Sequence, residues 1–467
     1  MSPADLAWLR MDRPTNLMVN NVVLWFDAPV DWERFKAICR ERLVGRFPRF
    51  GQRVAESRVP WRRVGWEDDP RFDLEHHLHR LALPAPGDRA ALLELVGDLM
   101  ATPLDHDKPL WDMYLVEGYG AGGAIVSRTH HSIADGIAIE RVMLSLTDDA
   151  RDGAFAPAPI ERRHRRRPTH AVRVAIAAIA SRMRHAAEAV GRGCLRVAAH
   201  PRQLGAQTRA VKQRARALTD LRLAGSEVGA ALKGELGVVQ RVATSRPVSL
   251  ADVKRTGHAT GTTVNDVMLT AVTGALGSYL RERGGPVAEI HAFVPFNVRP
   301  LGEPIPRDLG NKFGPVLLTL PAGLHDPQQR LAEVHRRMAE LKDTAQGARA
   351  YALIQVIGMV PPDIGRVIID ATTAKASALI TNVIGPPYPV SVAGTAVRGM
   401  LVWAPRPGSV PMSVTIFSYN GEITVGLGTD AGLIPGPELI LSGVEDELAE
   451  LQRLASRSKH HPGAAAA

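Results

Sequence analysis

The segment His130-His131-Ser132-Ile133-Ala134-Asp135-Gly136 gathers the groups that proton-transfer chemistry uses. An imidazole near its usual pKa is largely neutral at pH 7 and can take a proton from an alcohol. A hydroxyl is a poor nucleophile until that proton leaves, so acyl transfer from a thioester to an alcohol needs such a base. Asp135 can fix the turn by pairing with a cation or by capping a following helix, and Gly136 allows a tight backbone. Two blander readings remain open: a purely structural His-x-x-x-Asp, or metal ligation by the histidines and the carboxylate. Adjacent side chains on a strand face opposite ways, which disfavours a shared ion, and no metal site is expected. Elsewhere, His76, His77 and His79 fit a strand alternating between inside and outside. His164, His170, His185 and His200 sit among arginines and read as surface charge.

The elements that must present this segment are legible around it. Gly123-Ala-Ile-Val-Ser-Arg128 reads as a strand running into the histidines, paired with Met113-Tyr-Leu-Val116 across a Gly-rich turn. A helix is expected from about 137 to 146. Asn21 to Phe26 reads as a buried strand, Asp31 as the cap of a helix carrying Trp32, Phe35, Ile38 and Cys39, and 90–100 as a helix. Further on, the spacing of Val264, Val267, Met268, Ala271 and Val272 predicts a helix over 263–280, which Gly284-Gly285 stops. Strands are expected at 292–295 and 316–320. Asn420-Gly421 marks a hairpin between 413–419 and 422–427, and a last helix spans about 437–454.

Three regions follow: a mixed α/β unit over 1–150, a basic helical linker over 151–240, and a second mixed unit over 241–467. The fold class is α/β of the α+β type. The chain has 467 residues, 45% hydrophobic and 22% charged, as in an ordinary globular protein. The two cysteines, Cys39 and Cys194, offer neither a disulfide framework nor a zinc site. No apolar run approaches the roughly 20 residues that span a bilayer, and the N-terminus does not read as a signal peptide. A cytoplasmic protein is expected. The net charge of +9 is concentrated: residues 161–222 hold 16 Lys or Arg and three acids, a balance of +13. That segment suits an anionic membrane or lipid-droplet surface, and a merely solvated linker comes next. It lacks aromatic residues for base stacking, so nucleic acid is not expected as a partner.

His-His-x-x-x-Asp-Gly resembles the signature of the CoA-dependent acyltransferase superfamily. Within it, further blocks resemble the bacterial wax ester synthase/diacylglycerol acyltransferase family: Ser2-Pro-Ala-Asp5, Pro109-Leu110-Trp111, Asn265-Asp266, Asn297-Val-Arg299, Leu309-Gly-Asn-Lys-Phe313, Thr381-Asn-Val-Ile-Gly385-Pro386 with Thr in place of Ser, and Ser418-Tyr-Asn-Gly421. They come in family order from about residue 2 to 450.

The resemblance implies two chloramphenicol-acetyltransferase-like domains with mixed sheets flanked by helices, and a substrate tunnel between them. It implies O-acyl transfer from fatty acyl-CoA to diacylglycerol or a long-chain alcohol, on a peripheral membrane or lipid-inclusion surface. No cofactor is implied, because acyl-CoA is a substrate. His131 would be the general base and Asn265 the oxyanion donor, with Asp135 completing the catalytic set in a supporting role. His130, Gly136, Pro109, Leu110, Trp111 and Asp266 would shape or bind substrate. Arg299 would pair with Asp135, and Gly385-Pro386 would form a rigid turn. Amide-forming condensation on the same scaffold, or a binding protein with a degenerate site, are the alternatives.

Overall fold

The structure, a computed structural model, describes residues 1–55, 64–148, 232–284, 287–299, 306–342 and 346–458. The basic segment 161–222, with its expected helices, lies outside the described residues. In chain order the strands are β1 (Val19–Phe26), β2 (Gln52–Ala55), β3 (Gly65–Asp68), β4 (Leu78–Ala82), β5 (Trp111–Tyr119), β6 (Gly122–His130), β7 (Gln240–Thr244), β8 (Val248–Ser249), β9 (Ile290–Asn297), β10 (Phe313–Leu320), β11 (Ala378–Ile384), β12 (Ser391–Val392), β13 (Thr395–Trp403), β14 (Met412–Tyr419) and β15 (Glu422–Asp430). They form two mixed sheets, ordered β12-β13-β1-β6-β5-β4 and β10-β9-β11-β14-β15-β7, with β8 pairing β15 and β2-β3 apart.

Helices cover the sheets: α1 (Pro3–Met11), α2 (Trp32–Ile38), α3 (Arg89–Ala101), α4 (Gly136–Ser145), α5 (Leu250–Thr260), α6 (Val264–Glu282), α7 (Pro327–Lys342), α8 (Gln346–Met359), α9 (Pro362–Thr373) and α10 (Pro437–Ser458). Their starts follow local chemistry. Asp31, Asp88 and Asp135 each accept a backbone N–H as N-caps, and Ser2/Asp5 and Thr263/Asp266 form capping boxes. Helix α6 is buried along most of its length at the centre of the second core. Among the described residues no helix is long and apolar enough to cross a membrane.

The two halves share a plan: a long hairpin, a short turn, then a helix. Strands β5 and β6 lead through His131 into α4, and β14 and β15 lead through Ala431 into α10. In the second hairpin Asn420 and Gly421 both take positive φ, 47° and 80°, as the Asn-Gly turn requires. The stretch expected as a strand over 72–79 is different. Asp73 caps a short 3₁₀ turn over Leu74–His76, and the strand begins only at Leu78.

The boundary expected at 241 is crossed. Residues 391–403, expected in the second unit, form β12 and β13 and join the first sheet, where β13 runs antiparallel to β1 from Asn21↔Trp403 to Phe26↔Val397. The reason lies in β1, where Val22, Val23, Leu24 and Phe26 are all buried. Such a strand must be central, with a partner on each edge, and β6 supplies only one. Conversely, α1 packs against α8 so closely that a Cβ on Gly358 would fall 1.7 Å from the Pro3 carbonyl oxygen.

Candidate active site

Strand β6 ends at His130, and the chain turns through Ser132 to Ala134 before Asp135 caps α4. The His131 N–H donates to the Met18 carbonyl at 2.6 Å, tying the loop to the chain entering β1. The two histidines diverge as strand geometry demands. His130 is fully buried, with Nδ1 accepting from the Ser132 N–H at 3.0 Å and Nε2 3.4 Å from Asp12 Oδ2. It does not border the cavity described below, so its expected place among substrate-binding residues is corrected to one behind the loop.

His131 faces the other way. Its ring stacks on Trp8 at 4.4 Å between centroids and lies 5.3 Å from Phe313. Nδ1 lies 2.9 Å from Asn311 Oδ1. The orientation of the Asn311 amide is fixed by two acceptors, since its Nδ2 donates to Asp5 Oδ1 at 3.0 Å and to the His131 carbonyl at 2.8 Å. Its oxygen must therefore face the imidazole, which puts the ring proton on Nδ1 and leaves the Nε2 lone pair free. Burial pushes the His131 pKa down to about 4, so the ring is neutral at pH 7. Asp5 serves two elements: one carboxylate oxygen completes the α1 capping box, and the other holds both the backbone and the side chain of Asn311. Asn311 is reached through Leu309 and Gly310, both at positive φ, which bend the loop toward His131.

Asp135 is saturated. It accepts from the Ala138 and Lys312 N–H groups and forms a buried ion pair with Arg299 at 2.6 Å. Arg299 also donates to the Gly310 carbonyl at 2.8 Å, so this pair clamps the histidine loop to the loop carrying Asn311. The expected partnership of Asp135 and Arg299 is present, and Asp135 has the geometry of a support.

A cavity of about 450 Å³ opens between the halves beside His131. The first half contributes Trp8, Asn20, His131, Asp135, Gly136, Ile137 and Glu140 among others; the second contributes Pro295, Phe313, Leu379, Thr381, Asn382, Val383 and Ile384, with Val402 and Ala404 from the exchanged strand and beyond. Its size and apolar lining suit a small-molecule or lipid site. Gly136 lies in this wall. The other expectations change. Pro109, Leu110 and Trp111 are buried and do not border the cavity. Trp111 donates to the Phe50 carbonyl and stacks on His77, and the Leu110 carbonyl accepts from His130 N–H, so this block is support behind the histidines. Asn265 is not in the wall either; its Oδ1 accepts from Asn382, which is. Asp266 caps α6 and pairs with His335 at 2.8 Å, away from the cavity. Gly385 follows β11 in a tight contact, where a Cβ would fall 2.6 Å from the Ser418 carbonyl oxygen.

Residues 1–268 match the model of the wax ester synthase/diacylglycerol acyltransferase catalytic domain, and residues 309–452 match the WS/DGAT C-terminal domain. The chain belongs to the wax ester synthase/diacylglycerol acyltransferase family. It is 28% identical over 462 residues to a Mycobacterium tuberculosis protein named "Probable diacyglycerol O-acyltransferase tgs1", covering 96% of this chain and 94% of that one. Among solved structures it is similar to the wax ester synthase/diacylglycerol acyltransferase from Marinobacter aquaeolei VT8, with a TM-score of 0.66 at 21% identity over 97% of this chain and 98% of that one. The first condensation domain of the calcium-dependent antibiotic synthetase shares the fold, with a TM-score of 0.58 at 17% identity, covering 98% of this chain and 95% of that one.

Within this family frame, Asn311 and Asp5 are the site residues that sequence reasoning missed. Both lie in blocks that carried the family resemblance, Leu309–Phe313 and Ser2–Asp5. That was the only signal; nothing in either block shows that they meet at the histidine.

Proposed function

We propose that this protein transfers a fatty acyl group from acyl-CoA to the hydroxyl of diacylglycerol, making triacylglycerol, and to long-chain alcohols, making wax esters. The observation that carries the proposal is a neutral His131 with its proton held on Nδ1 by Asn311, bordering an apolar cavity shared by both halves of a family member. In the proposed step Nε2 takes the acceptor's hydroxyl proton. The oxygen attacks the thioester carbonyl, the C–S bond breaks, and the proton passes from Nε2 to the departing CoA sulfur. Base catalysis of this kind contributes about 10² to 10⁴-fold. The step uses no cofactor and no acyl-enzyme; Cys39 is buried, with its thiol pKa pushed far up by burial.

Thiol release from palmitoyl-CoA, with and without diacylglycerol or hexadecanol, tests the reading. Acceptor-dependent release is expected from the wild type and is lost in His131→Ala. Release from neither acceptor refutes it. The +13 segment 161–222 places the enzyme on anionic lipid in this reading. Sedimentation with anionic but not neutral liposomes is the expected result, and equal binding to both removes it.

A further inference from the structure

Two polar side chains in the cavity wall carry groups with no partner among the described residues. Asn20 is 2% exposed, yet its side-chain amide nitrogen makes no hydrogen bond. Glu140, half-buried on α4, makes neither a hydrogen bond nor an ion pair among the described residues, and it too borders the cavity. Strand geometry puts Asn20 on the same face of β1 as Val22 and Leu24, and these two line with Glu140 a narrow apolar cleft next to the cavity. The amide and the carboxyl thus belong to one side of the site, the side built by β1 and α4.

The surroundings decide what Glu140 can do. It is faced from β1, β13 and β14 by Val22, Leu24, Met400, Val402 and Phe417, none of them titratable. Arg141, its neighbour on α4, is the nearby charge, and the other charged or titratable groups of the cavity are His131 and the closed Asp135–Arg299 pair. Burial pushes the Glu140 carboxyl up to about 7, against the pull of Arg141. At and below neutrality it can therefore serve as an O–H donor.

A buried donor such as the Asn20 amide, unpaired among the described residues, is costly unless a ligand pairs it, and the half-buried Glu140 carboxyl is open to the same ligand. A diacylglycerol carries two ester carbonyl oxygens, which accept hydrogen bonds and cannot donate them; hexadecanol carries none. We propose that Asn20 and Glu140 form a subsite that donates hydrogen bonds to the ester carbonyls of a glyceride acceptor, and so favours that acceptor over a plain long-chain alcohol. The inference rests on the O-acyltransferase reading above.

The test is the ratio of kcat/KM for dioleoylglycerol to kcat/KM for hexadecanol, with palmitoyl-CoA as donor. In Asn20→Leu and Glu140→Leu the ratio is expected to fall about five- to tenfold, the worth of one hydrogen bond. Glu140→Gln keeps a donor and keeps the ratio. The wild-type ratio falls between pH 6 and pH 8 as the carboxyl ionises, and the Glu140→Gln ratio stays flat. Equal loss on both acceptors in the leucine variants overturns the inference while leaving the acyltransferase reading intact, as does an unchanged ratio. A wild-type enzyme that acylates neither acceptor overturns both. Should Asn20→Leu fail to fold, the two Glu140 variants carry the test.

Discussion

Replacing Asn311 with alanine removes three hydrogen bonds at once: the one from His131 Nδ1 at 2.9 Å, and those to Asp5 Oδ1 at 3.0 Å and to the His131 carbonyl at 2.8 Å. The catalytic consequence comes from the first. Without an acceptor at Nδ1 the ring proton is free to sit on Nε2, which abolishes the base, and the ring is free to turn. One lost hydrogen bond of about 1 to 1.5 kcal/mol corresponds to a five- to tenfold smaller population of the reactive tautomer. Poorer aim of the ring adds to this, so kcat is expected to fall about ten- to a hundredfold, within the range seen when an orienting partner is removed. KM for palmitoyl-CoA should move little, because Asn311 does not border the cavity. The assay is thiol release at saturating diacylglycerol, with a melting curve to confirm folding. Asn311→Asp supplies the companion measurement. It restores an acceptor for Nδ1 but adds negative charge beside the imidazole, so it should recover part of kcat and move the acid limb of the rate profile to higher pH. A folded Asn311→Ala enzyme with kcat within twofold of wild type, or with its loss confined to KM, refutes the reasoning.

Three further outcomes follow from the same geometry. Because burial holds the His131 pKa near 4, kcat/KM with hexadecanol, the acceptor that does not engage Glu140, should stay level from pH 8 to pH 6 and fall only toward pH 4; a limb centred near 6.5 with that acceptor contradicts the buried, neutral ring. The unfolded chain takes up that proton first, so the matching stability, on the order of 3 kcal/mol, is present above about pH 6.5 and is lost as pH falls toward 4. Arg299→Met leaves Asp135 with its two backbone donors but no cation, and stability should drop by about 3 kcal/mol in chemical denaturation; an unchanged midpoint removes the clamp from the account.

Sequence reasoning reached what is encoded locally. The β5–β6 hairpin, the Asp135 cap, the Thr263 start of α6 and the Asn420-Gly421 turn are each set by residues within a few positions of one another. Through the motif it also reached His131, and the pairing of Arg299 with Asp135. It did not reach the contacts that close the chain on itself. Asn311 meets His131 across 180 positions and Asp5 across 306, and no periodicity reports such a meeting. The Pro109-Leu110-Trp111 block misled because a buried aromatic near a motif looks the same in sequence whether it lines a cavity or supports a strand. Asn265 misled for a related reason. The start of a helix is a natural place for an oxyanion donor, but here Asn382 stands between it and the cavity.

The strand that the second half lends to the first has a further consequence for traffic through the enzyme. Six residue pairs stitch β13 to β1, directly beside the cavity wall. Prising the halves apart like a clam shell would have to tear that seam first, so a wide hinge opening of the cleft costs its strand pairing.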